Sequence, residues 1–419
     1  MTDSTETTQA SGKRHDLVVF GATSFVGQIL TRYLFERHGV GGDLDWAIAG
    51  RSEAKLSDVR TALGDGAAGL PLLMADAADD DALADLCAST RVVISTVGPY
   101  ALYGEPLVRA CARSGVDYCD LTGEVQWIRR MIERYEDDAK ASGARIVHCC
   151  GFDSIPSDLG VWFLQTQAEI QFGETCESVR MRVKAAKGGL SGGTVASMIN
   201  IAKEAGADPQ LRKELANPFS ISPDGHRSTV RQPSLKGAEF DRTLNAWLAP
   251  FVMGAINTRV VHRSNALQDD RYGKEFTYDE AIMTGRGLKG RAAAYAMTGA
   301  LGAFFTASAI GPTRWVVEKL VPKPGQGPSP EEQASGFFDL RFVGRTGNGK
   351  TMITRVTGDR DPGYGSTGKM LGEAGLCLAF DVPKDQPGGF WTPASLLDGK
   401  LLERLQNNAG LVFEVLETR

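Results

Sequence analysis

Short apolar runs alternate with amphipathic segments over the first 150 residues of the chain. The run at 92–97 is rich in β-branched residues, which is typical of a strand buried on both faces of a parallel sheet. Helix-like segments separate the runs, so the pattern predicts an α/β fold with a doubly wound (Rossmann) nucleotide-binding domain. The predicted strands cover 17–20, 46–49, 70–76, 92–97, 117–121 and 145–153.

The pattern changes after residue 152. Polar and apolar residues alternate at 179–185 and 275–283, as they do in half-buried antiparallel strands. Segments 337–342 and 350–357 predict a hairpin, and 368–380 predicts a helix. We therefore expect an inserted mixed α+β domain. The predicted organisation is a flexible tail at 1–14, a dinucleotide-binding domain at 15–152, an inserted α+β substrate or dimerisation domain at 153–360, and a C-terminal helical return onto the nucleotide domain at 361–419.

One segment, 292–313, contains no charged side chain and lies between Arg291 and Arg314. Its length is compatible with a membrane span, but its high content of Ala, Gly, Thr and Ser weakens insertion into a bilayer. Three interpretations stay open. The segment forms a buried or subunit-interface helix, for which small residues permit close approach, or a membrane-surface element, or a true span. The first interpretation includes a homodimer.

Composition and charge narrow the class of protein. Hydrophobic residues make up 42% and charged residues 23%, as in an ordinary globular protein. The net charge of −5 and the lack of a basic cluster argue against nucleic-acid binding. The seven cysteines form no Cys-x-x-Cys pair, and the five histidines show no ligand spacing, so we expect neither a disulfide framework nor a metal site. With no signal-peptide core near residue 1, a cytoplasmic protein is expected, with membrane association through 292–313 as an open alternative.

The most informative motif joins the first predicted strand to a helix-like segment at 28–37. Glycine at position 21 permits a tight turn close to a pyrophosphate, and glycine at 27 lets the helix pack close to the strand. The first helical turn presents free N–H groups to the phosphates. Ser24 stands where the extended motif has a middle glycine, and its N–H and hydroxyl can be offered to a phosphate. The predicted pyrophosphate-binding residues are Gly21, Thr23, Ser24, Phe25, Val26 and Gly27.

Residues after the next three strands complete the predicted cofactor site. Arg51 follows the second strand, where an acidic residue would hold the 2′-hydroxyl of NAD and an arginine accommodates the 2′-phosphate of NADP. We therefore predict NADP(H), with NADPH preferred over NADH. Asp76, after the third strand, contacts the adenine or caps the helix that begins near 79–81. Ligands bind beyond the carboxyl ends of parallel strands, which places the following residues near the nicotinamide: Thr96, Val97, Gly98 and Pro99.

Five motifs stand in one arrangement along the chain: 19–27 (VFGATSFVG), 49–52 (AGRS), 96–100 (TVGPY), 117–124 (DYCDLTGE) and 151–158 (GFDSIPSD). With 257–267 and 322–325, they resemble the saccharopine dehydrogenase-like oxidoreductases, and within that group they are most similar to the mycobacterial trans-acting enoyl reductases. The resemblance extends over nearly the whole chain. The combination of motifs is specific to the family, whereas no single motif is.

The resemblance implies a reductase that takes hydride from NADPH and delivers it to an activated carbon–carbon double bond. The substrate would be an acyl or polyketide lipid intermediate made by a polyketide synthase that lacks its own enoyl reductase domain. The chemistry needs hydrogen-bond donors for the developing enolate and a proton source for the α-carbon. The candidate catalytic residues are Tyr100, Tyr103 and Ser154, and the turn at 191–194 offers further donors. Asp153 and Asp158 are weaker candidates, because either could cap the following helix.

Two other functions stay open. A saccharopine-type dehydrogenase or reductase would act on a C–N bond of an amino acid and would need cationic side chains for its carboxylates. Arg259, Arg263 and Arg286 are available for that role. A non-catalytic, lipid-associated scaffold would bind NADPH without reducing an enone. The uncharged segment 292–313 favours an apolar substrate over an amino acid.

Overall fold

The computed structural model describes residues 14–189, 191–226, 228–310, 313–315, 319 and 327–419, and its strands form two seven-stranded sheets. The strands are β1 (His15–Phe20), β2 (Trp46–Gly50), β3 (Leu72–Met74), β4 (Thr90–Ser95), β5 (Asp117–Asp120), β6 (Arg145–Val147), β7 (Cys176–Lys187), β8 (Glu239–Asp241), β9 (Ala246–Pro250), β10 (Thr277–Gly285), β11 (Phe337–Thr346), β12 (Thr351–Gly358), β13 (Gly389–Trp391) and β14 (Leu411–Thr418). The helices are α1 (Phe25–His38), α2 (Glu53–Ala62), α3 (Asp80–Ser89), α4 (Tyr100–Tyr103), α5 (Glu105–Ser114), α6 (Val125–Ser142), α7 (Ile155–Phe172), α8 (Gly192–Ala207), α9 (Pro209–Ala216), α10 (Gly254–Leu267), α11 (Gly287–Ala309), α12 (Pro330–Ala334), α13 (Thr367–Phe380) and α14 (Asp398–Asn408).

The first sheet is parallel throughout, in the order β13-β6-β5-β4-β1-β2-β3. Successive side chains of β1 are buried on opposite faces. Val19 joins the core that contains residues of α1 and α13, whereas Val18 joins the core that contains residues of α5 and α6. A parallel sheet needs this cover on both faces. The predicted α/β, doubly wound class is therefore confirmed.

The second sheet is mixed, in the order β14-β12-β11-β7-β10-β9-β8. The predicted hairpin is present as the antiparallel pair β11 and β12. Segments 179–185 and 275–283 do form strands, β7 and β10. The expectation of antiparallel strands is wrong for the pairing of these two with each other, because they run parallel, with Val179 opposite Tyr278. Each is antiparallel to its other neighbour. Alternation of polar and apolar positions shows that one face is buried and says nothing about strand direction.

The predicted sixth strand ends at Val147 instead of residue 153. The chain leaves the sheet through Cys149, which has a φ of 64°. Cys149 and Cys150 are buried free thiols, but they lie beyond the strand on which the sequence placed them. This exit brings Asp153 to the edge of the sheet, immediately before α7.

The C-terminal segment 361–419 contributes strands as well as the predicted helix. Strand β13 extends the first sheet beside β6, and β14 pairs with β12 at the edge of the second sheet. The description of this segment as a helical return is therefore incomplete. Strand β13 is too short to show a period, and the exposed Val412 and Leu416 blur the alternation of β14. Helix α13 lies so close to β4 that a Cβ on Gly375 would stand 2.3 Å from Ile94 Cδ1.

Helix α11 contains most of the uncharged segment and lies on the surface, against α8 and β9. Its buried residues are Gly290, Ala294 and Ser308. The interpretation of 292–313 as a helix buried within the chain is therefore wrong. Within the part of the chain that the structure describes, no helix combines the length and apolarity needed to cross a membrane. The tail at 1–13, residues 311 and 312, and the stretch 322–326 lie outside the described residues.

Two glycine substitutions test the packing of these helices. A Cβ on Gly160, in α7, would lie 2.3 Å from the ring of Phe342. We expect Gly160→Ala to destabilise the protein by about 1–3 kcal/mol, since overpacking outweighs the better helix propensity of alanine. Gly299→Ala is the matched control in α11, where no described residue lies within 4 Å of the added methyl. It should stabilise by about 0.5–1 kcal/mol. Urea unfolding measures both, and changes of the same sign would contradict this packing.

Candidate active site

The loop between β1 and α1 has the geometry of a phosphate-binding turn. Gly21 adopts a φ of 86°, and a Cβ there would stand 2.6 Å from Val97 Cγ2. A Cβ on Gly27 would lie 2.3 Å from the Gly21 carbonyl oxygen, so only glycine lets the helix begin this close to the turn. The amides of Phe25 and Val26 are the first of α1 and have no carbonyl within the helix to bond. The turn therefore fits the pyrophosphate of a dinucleotide.

Ser24 ties this turn to β4. Its Oγ accepts a hydrogen bond from the Gly27 amide at 2.9 Å and so caps α1. The same oxygen lies 2.9 Å from Thr96 Oγ1, and the Thr96 hydroxyl donates to the Gly21 carbonyl at 2.8 Å. The Ser24 amide donates to the same carbonyl at 2.9 Å. The structure differs here from the expectation, because the N–H and hydroxyl of Ser24 are engaged in the turn instead of being offered to a phosphate.

Arg51 and Asp76 follow β2 and β3 at the carboxyl edge of the sheet. Arg51 is exposed, and its guanidinium has no hydrogen bond or ion pair with any residue that the structure describes. Its N–H donors are therefore available to a phosphate. Asp76 Oδ1 accepts from the Ala78 amide at 3.0 Å. The capping interpretation of Asp76 is wrong, since the N-cap of α3 is Asp79. Contact between Asp76 and the adenine stays a prediction.

A buried carboxylate, Glu124, joins the loop after β4 to helix α8. Its Oε1 accepts from the Tyr100 amide at 2.8 Å, and its Oε2 accepts from the Ala101 amide at 2.9 Å. The Ser197 hydroxyl donates to Oε1 at 2.8 Å. Burial raises the pKa of Glu124, and these three donors act against that rise. The carboxylate thus holds the loop at 96–99 beside the second half of the chain.

A cleft opens between this loop, the dinucleotide turn and α8. Its lining is mainly apolar or neutral and, among the described residues, contains no arginine or lysine. The lining residues are Ser24, Phe25, Val26, Thr96, Gly98, Pro99, Tyr100, Leu121, Thr122, Gly123, Asp153, Ser191, Gly193, Thr194, Ala196, Ser197, Met198, Ile201, Met253 and Tyr364.

Asp153 is the aspartate of this lining. It lies in the turn before α7, where a Cβ on Gly123 would stand 3.6 Å from Asp153 Oδ2 and 3.9 Å from Met253 Cε. Burial raises the pKa of Asp153 to about 7, because removal of water disfavours the charged form. The carboxyl group is therefore partly protonated at neutral pH.

The three predicted catalytic residues have different surroundings. Tyr100 lines the cleft, but its hydroxyl donates to the Ser95 carbonyl at 3.0 Å, and burial raises its pKa well above the ordinary value. Tyr103 is exposed and outside the lining. Ser154 is buried and donates to Asn257 Oδ1 at 3.1 Å. Catalytic roles for the three residues stay predictions.

The turn at 191–194 does reach the cleft. Ser191 caps α8, because its Oγ accepts from the Thr194 amide at 3.0 Å. The two hydroxyl oxygens lie 2.8 Å apart, so one hydroxyl donates to the other and the second keeps its proton for another acceptor. Neither Asp153 nor Asp158 caps α7, since Ser154 occupies the N-cap position.

Sequence reasoning did not single out Glu124, Ser197 or Met253. Ser197 and Glu124 are 73 positions apart, so their contact arises only from tertiary packing. The one local signal was that Glu124 is the single charged residue between 121 and 128.

Comparisons with known proteins agree with this geometry. The saccharopine dehydrogenase NADP binding domain matches residues 17–147. A Mycobacterium tuberculosis (strain H37Rv) protein, named provisionally as a trans-acting enoyl reductase, is 40% identical over 94% of this chain and 96% of its own length. The trans-acting enoyl reductase of Mycobacterium ulcerans (strain Agy99) is 36% identical over 96% of this chain and 97% of its own. Saccharopine dehydrogenase (L-Glu forming) of Saccharomyces cerevisiae shares the fold, with a TM-score of 0.55 and 11% identity over 97% of this chain and 100% of that one.

The fold and the matched domain define an NADP-dependent oxidoreductase built on a Rossmann domain. The chain belongs to the saccharopine dehydrogenase-like oxidoreductase family, in the branch whose members carry the name trans-acting enoyl reductase. The predicted family and the predicted NADP(H) cofactor are thereby confirmed.

Removal of the Arg51 guanidinium tests the predicted preference for NADPH. Hydrogen bonds to a charged group contribute about 1.5–3 kcal/mol, so Arg51→Ala should raise the Kd for NADPH by about 10–100-fold. The Kd for NADH should not change. Nicotinamide fluorescence titration measures both constants. Arg113→Ala is the control, since this residue pairs with Asp138 at 2.8 Å near the opposite edge of the sheet. Equal losses for the two nucleotides would contradict the assignment.

Proposed function

We propose that the protein is a trans-acting enoyl reductase. It would use NADPH to reduce a carbon–carbon double bond of an acyl chain in polyketide lipid biosynthesis, and a separate synthase without an enoyl reductase domain would present that chain. The names of the relatives support this proposal. The observation that carries it is the largely apolar lining of the cleft beside the dinucleotide turn, which includes Leu121, Ile201 and Met253 and, among the described residues, no arginine or lysine.

The same lining disfavours an amino-acid substrate. The three arginines that could hold substrate carboxylates bond backbone carbonyls instead, and none lines the cleft. Arg259 donates to the Leu215 carbonyl. Arg263 donates to the Phe390 carbonyl at 2.6 Å, and Arg286 donates to the Asn245 carbonyl at 3.1 Å.

Each group in the cleft has a separate part in this function. Bound NADPH supplies the hydride. The first amides of α1 and the Arg51 guanidinium would bind its phosphates, and the loop held by Glu124 would orient its nicotinamide end. The free hydroxyl proton of the pair formed by Ser191 and Thr194 would bond the thioester oxygen, where negative charge develops. Apolar side chains exclude water and so strengthen that bond.

A substrate screen tests the proposed reaction. The protein is offered enoyl thioesters of increasing chain length and, separately, a 2-oxo acid with an amine, while NADPH absorbance is followed. We expect oxidation with the thioesters only. Each methylene that enters the cleft should lower KM about fourfold, from about 0.8 kcal/mol per buried methylene. Turnover confined to the 2-oxo acid and amine would contradict the proposal.

Introducing a charged side chain into the cleft lining tests whether the acyl chain of the thioester binds there. Ile201→Asp should raise KM for the thioester and leave the Kd for NADPH unchanged, because Ile201 lines the cleft from α8. Ile170→Asp is the control, since Ile170 is 70% exposed on α7. An equal effect of the two changes would place the acyl chain elsewhere.

We also propose that α11 rests on an anionic membrane surface. Tyr295, Met297 and Phe305 are exposed on a helix that carries no charge from 292 to 309. Apolar area with basic flanks is what an interfacial helix needs. Two copies of the chain would bring like charges together at these flanks, so charge favours the membrane over self-association. The charged residues of the flanks are Arg286, Lys289 and Arg291 before the stretch, and Arg314, Glu318 and Lys319 after it, so each flank is basic in net charge.

Vesicle sedimentation tests the role of α11. The protein should bind vesicles of phosphatidylglycerol more tightly than vesicles of phosphatidylcholine. Phe305→Asp should weaken that binding about tenfold or more, since burial of a phenylalanine contributes about 1.5–3 kcal/mol. Ile170→Asp should not change it. A different outcome would contradict the membrane role. If the native protein binds no vesicles but forms a dimer, and Phe305→Asp dissociates that dimer, the surface binds a second copy of the chain.

A further inference from the structure

We infer that Asp153 is the proton donor of the reduction, delivering its carboxyl proton to the α-carbon of the enoyl substrate. The inference rests on the proposed function. Asp153 lines the cleft together with the dinucleotide turn and the 191–194 turn, so one space holds the cofactor side, the donors for the thioester oxygen and this carboxyl group.

The two tyrosines of the lining are weaker acids than the Asp153 carboxyl group, because burial raises the pKa of both phenols above its ordinary value. The Tyr100 hydroxyl donates to the Ser95 carbonyl, away from the cleft. The Tyr364 hydroxyl accepts from the Gly192 amide at 2.8 Å, and burial raises its pKa. Asp153 is half-buried and has no hydrogen bond to another described side chain, so its proton is available to a substrate.

The surroundings keep a substantial fraction of Asp153 protonated at neutral pH. Burial raises its pKa to about 7, and the lining has no arginine or lysine among the described residues to stabilise the charged form. The titratable group that interacts with Asp153 is Cys149, whose thiol pKa burial raises well above the usual value. The titratable side chains that share the cleft lining with it are Tyr100 and Tyr364, and burial raises the pKa of both phenols.

The step balances without a further reactant. The β-carbon receives the hydride that NADPH supplies, and the electron pair of the double bond moves to the thioester oxygen as an enolate. The enolate collapses as the O–H bond of Asp153 breaks and a C–H bond forms at the α-carbon. The resulting carboxylate regains its proton from water. The net change consumes NADPH and one proton and yields NADP⁺ and the saturated thioester.

Asp158 shows that a raised pKa alone does not make a proton donor. Burial also raises its pKa to about 7. Its Oδ1 accepts from the Ser264 hydroxyl at 2.6 Å, and its Oδ2 accepts from the Ala394 amide at 2.8 Å. It lies outside the cleft and joins α7 to α10 and to the turn before α14. Asp158 is therefore the matched control.

The test compares Asp153→Asn, Asp153→Glu and Asp158→Asn with the native enzyme on one enoyl thioester. We expect kcat of Asp153→Asn to fall about 100-fold or more, with the Kd for NADPH unchanged, as removal of a general acid predicts. The native kcat should fall as pH rises through about 7, because only the protonated acid can donate, and this fall should disappear in Asp153→Asn. Asp153→Glu should restore part of kcat.

The control separates catalysis from folding. Asp158→Asn should lower the melting temperature and keep the native pH profile. If Asp153→Asn keeps the native kcat and the native pH profile, Asp153 is not the proton donor, and the proposed function is unaffected. Failure of the native enzyme to reduce any enoyl thioester would overturn the proposed function instead. Infrared spectroscopy gives a readout that needs no substrate. The C=O band of the protonated Asp153 carboxyl group is identified as the band that Asp153→Asn removes. Loss of this band as pH rises through about 7 supports the inference, whereas an Asp153 that is already ionised at about pH 5 overturns it.

Discussion

The candidate site depends on the buried carboxylate of Glu124, which has no cationic partner among the described residues. Burial of an anion costs free energy unless hydrogen bonds replace the water that it loses. Here the donors come from the start of α4 and from Ser197 on α8, so the carboxylate is satisfied only when both halves of the chain meet. That condition fixes the loop after β4 beside the dinucleotide turn and defines one wall of the cleft.

Three carboxyl groups near the end of the first sheet differ through their donors. Glu124 has amides and a hydroxyl around it, and Asp158 has a hydroxyl and an amide. Asp153 faces the cleft, where its pKa rises by burial alone. The same functional group therefore holds the fold together at Glu124 and Asp158, whereas at Asp153 it faces the cleft, where we infer that it donates a proton. Local hydrogen bonding decides between these outcomes.

Much of the nucleotide domain was predictable because its signals are local. A parallel sheet buried on both faces requires apolar runs, and a helix that begins against a turn requires Gly21 and Gly27. Pairing direction is not local, which is why the parallel alignment of β7 and β10 was missed. Ser24 was predicted to be a phosphate ligand because its hydrogen bond to Thr96 exists only once β4 packs beside the turn, and the local sequence does not show that contact. Asp153 was ranked low because capping looked sufficient to explain it.

The destination of the hydride tests the central claim most directly. NADPH deuterated at its transferable position would be turned over with an enoyl thioester in ordinary water, and the product analysed by NMR and mass spectrometry. The account predicts one deuterium, at the β-carbon of the saturated thioester, and a solvent-derived hydrogen at the α-carbon. Deuterium found instead on a carbon bonded to nitrogen, in a product formed from an amine and a 2-oxo acid, would contradict it.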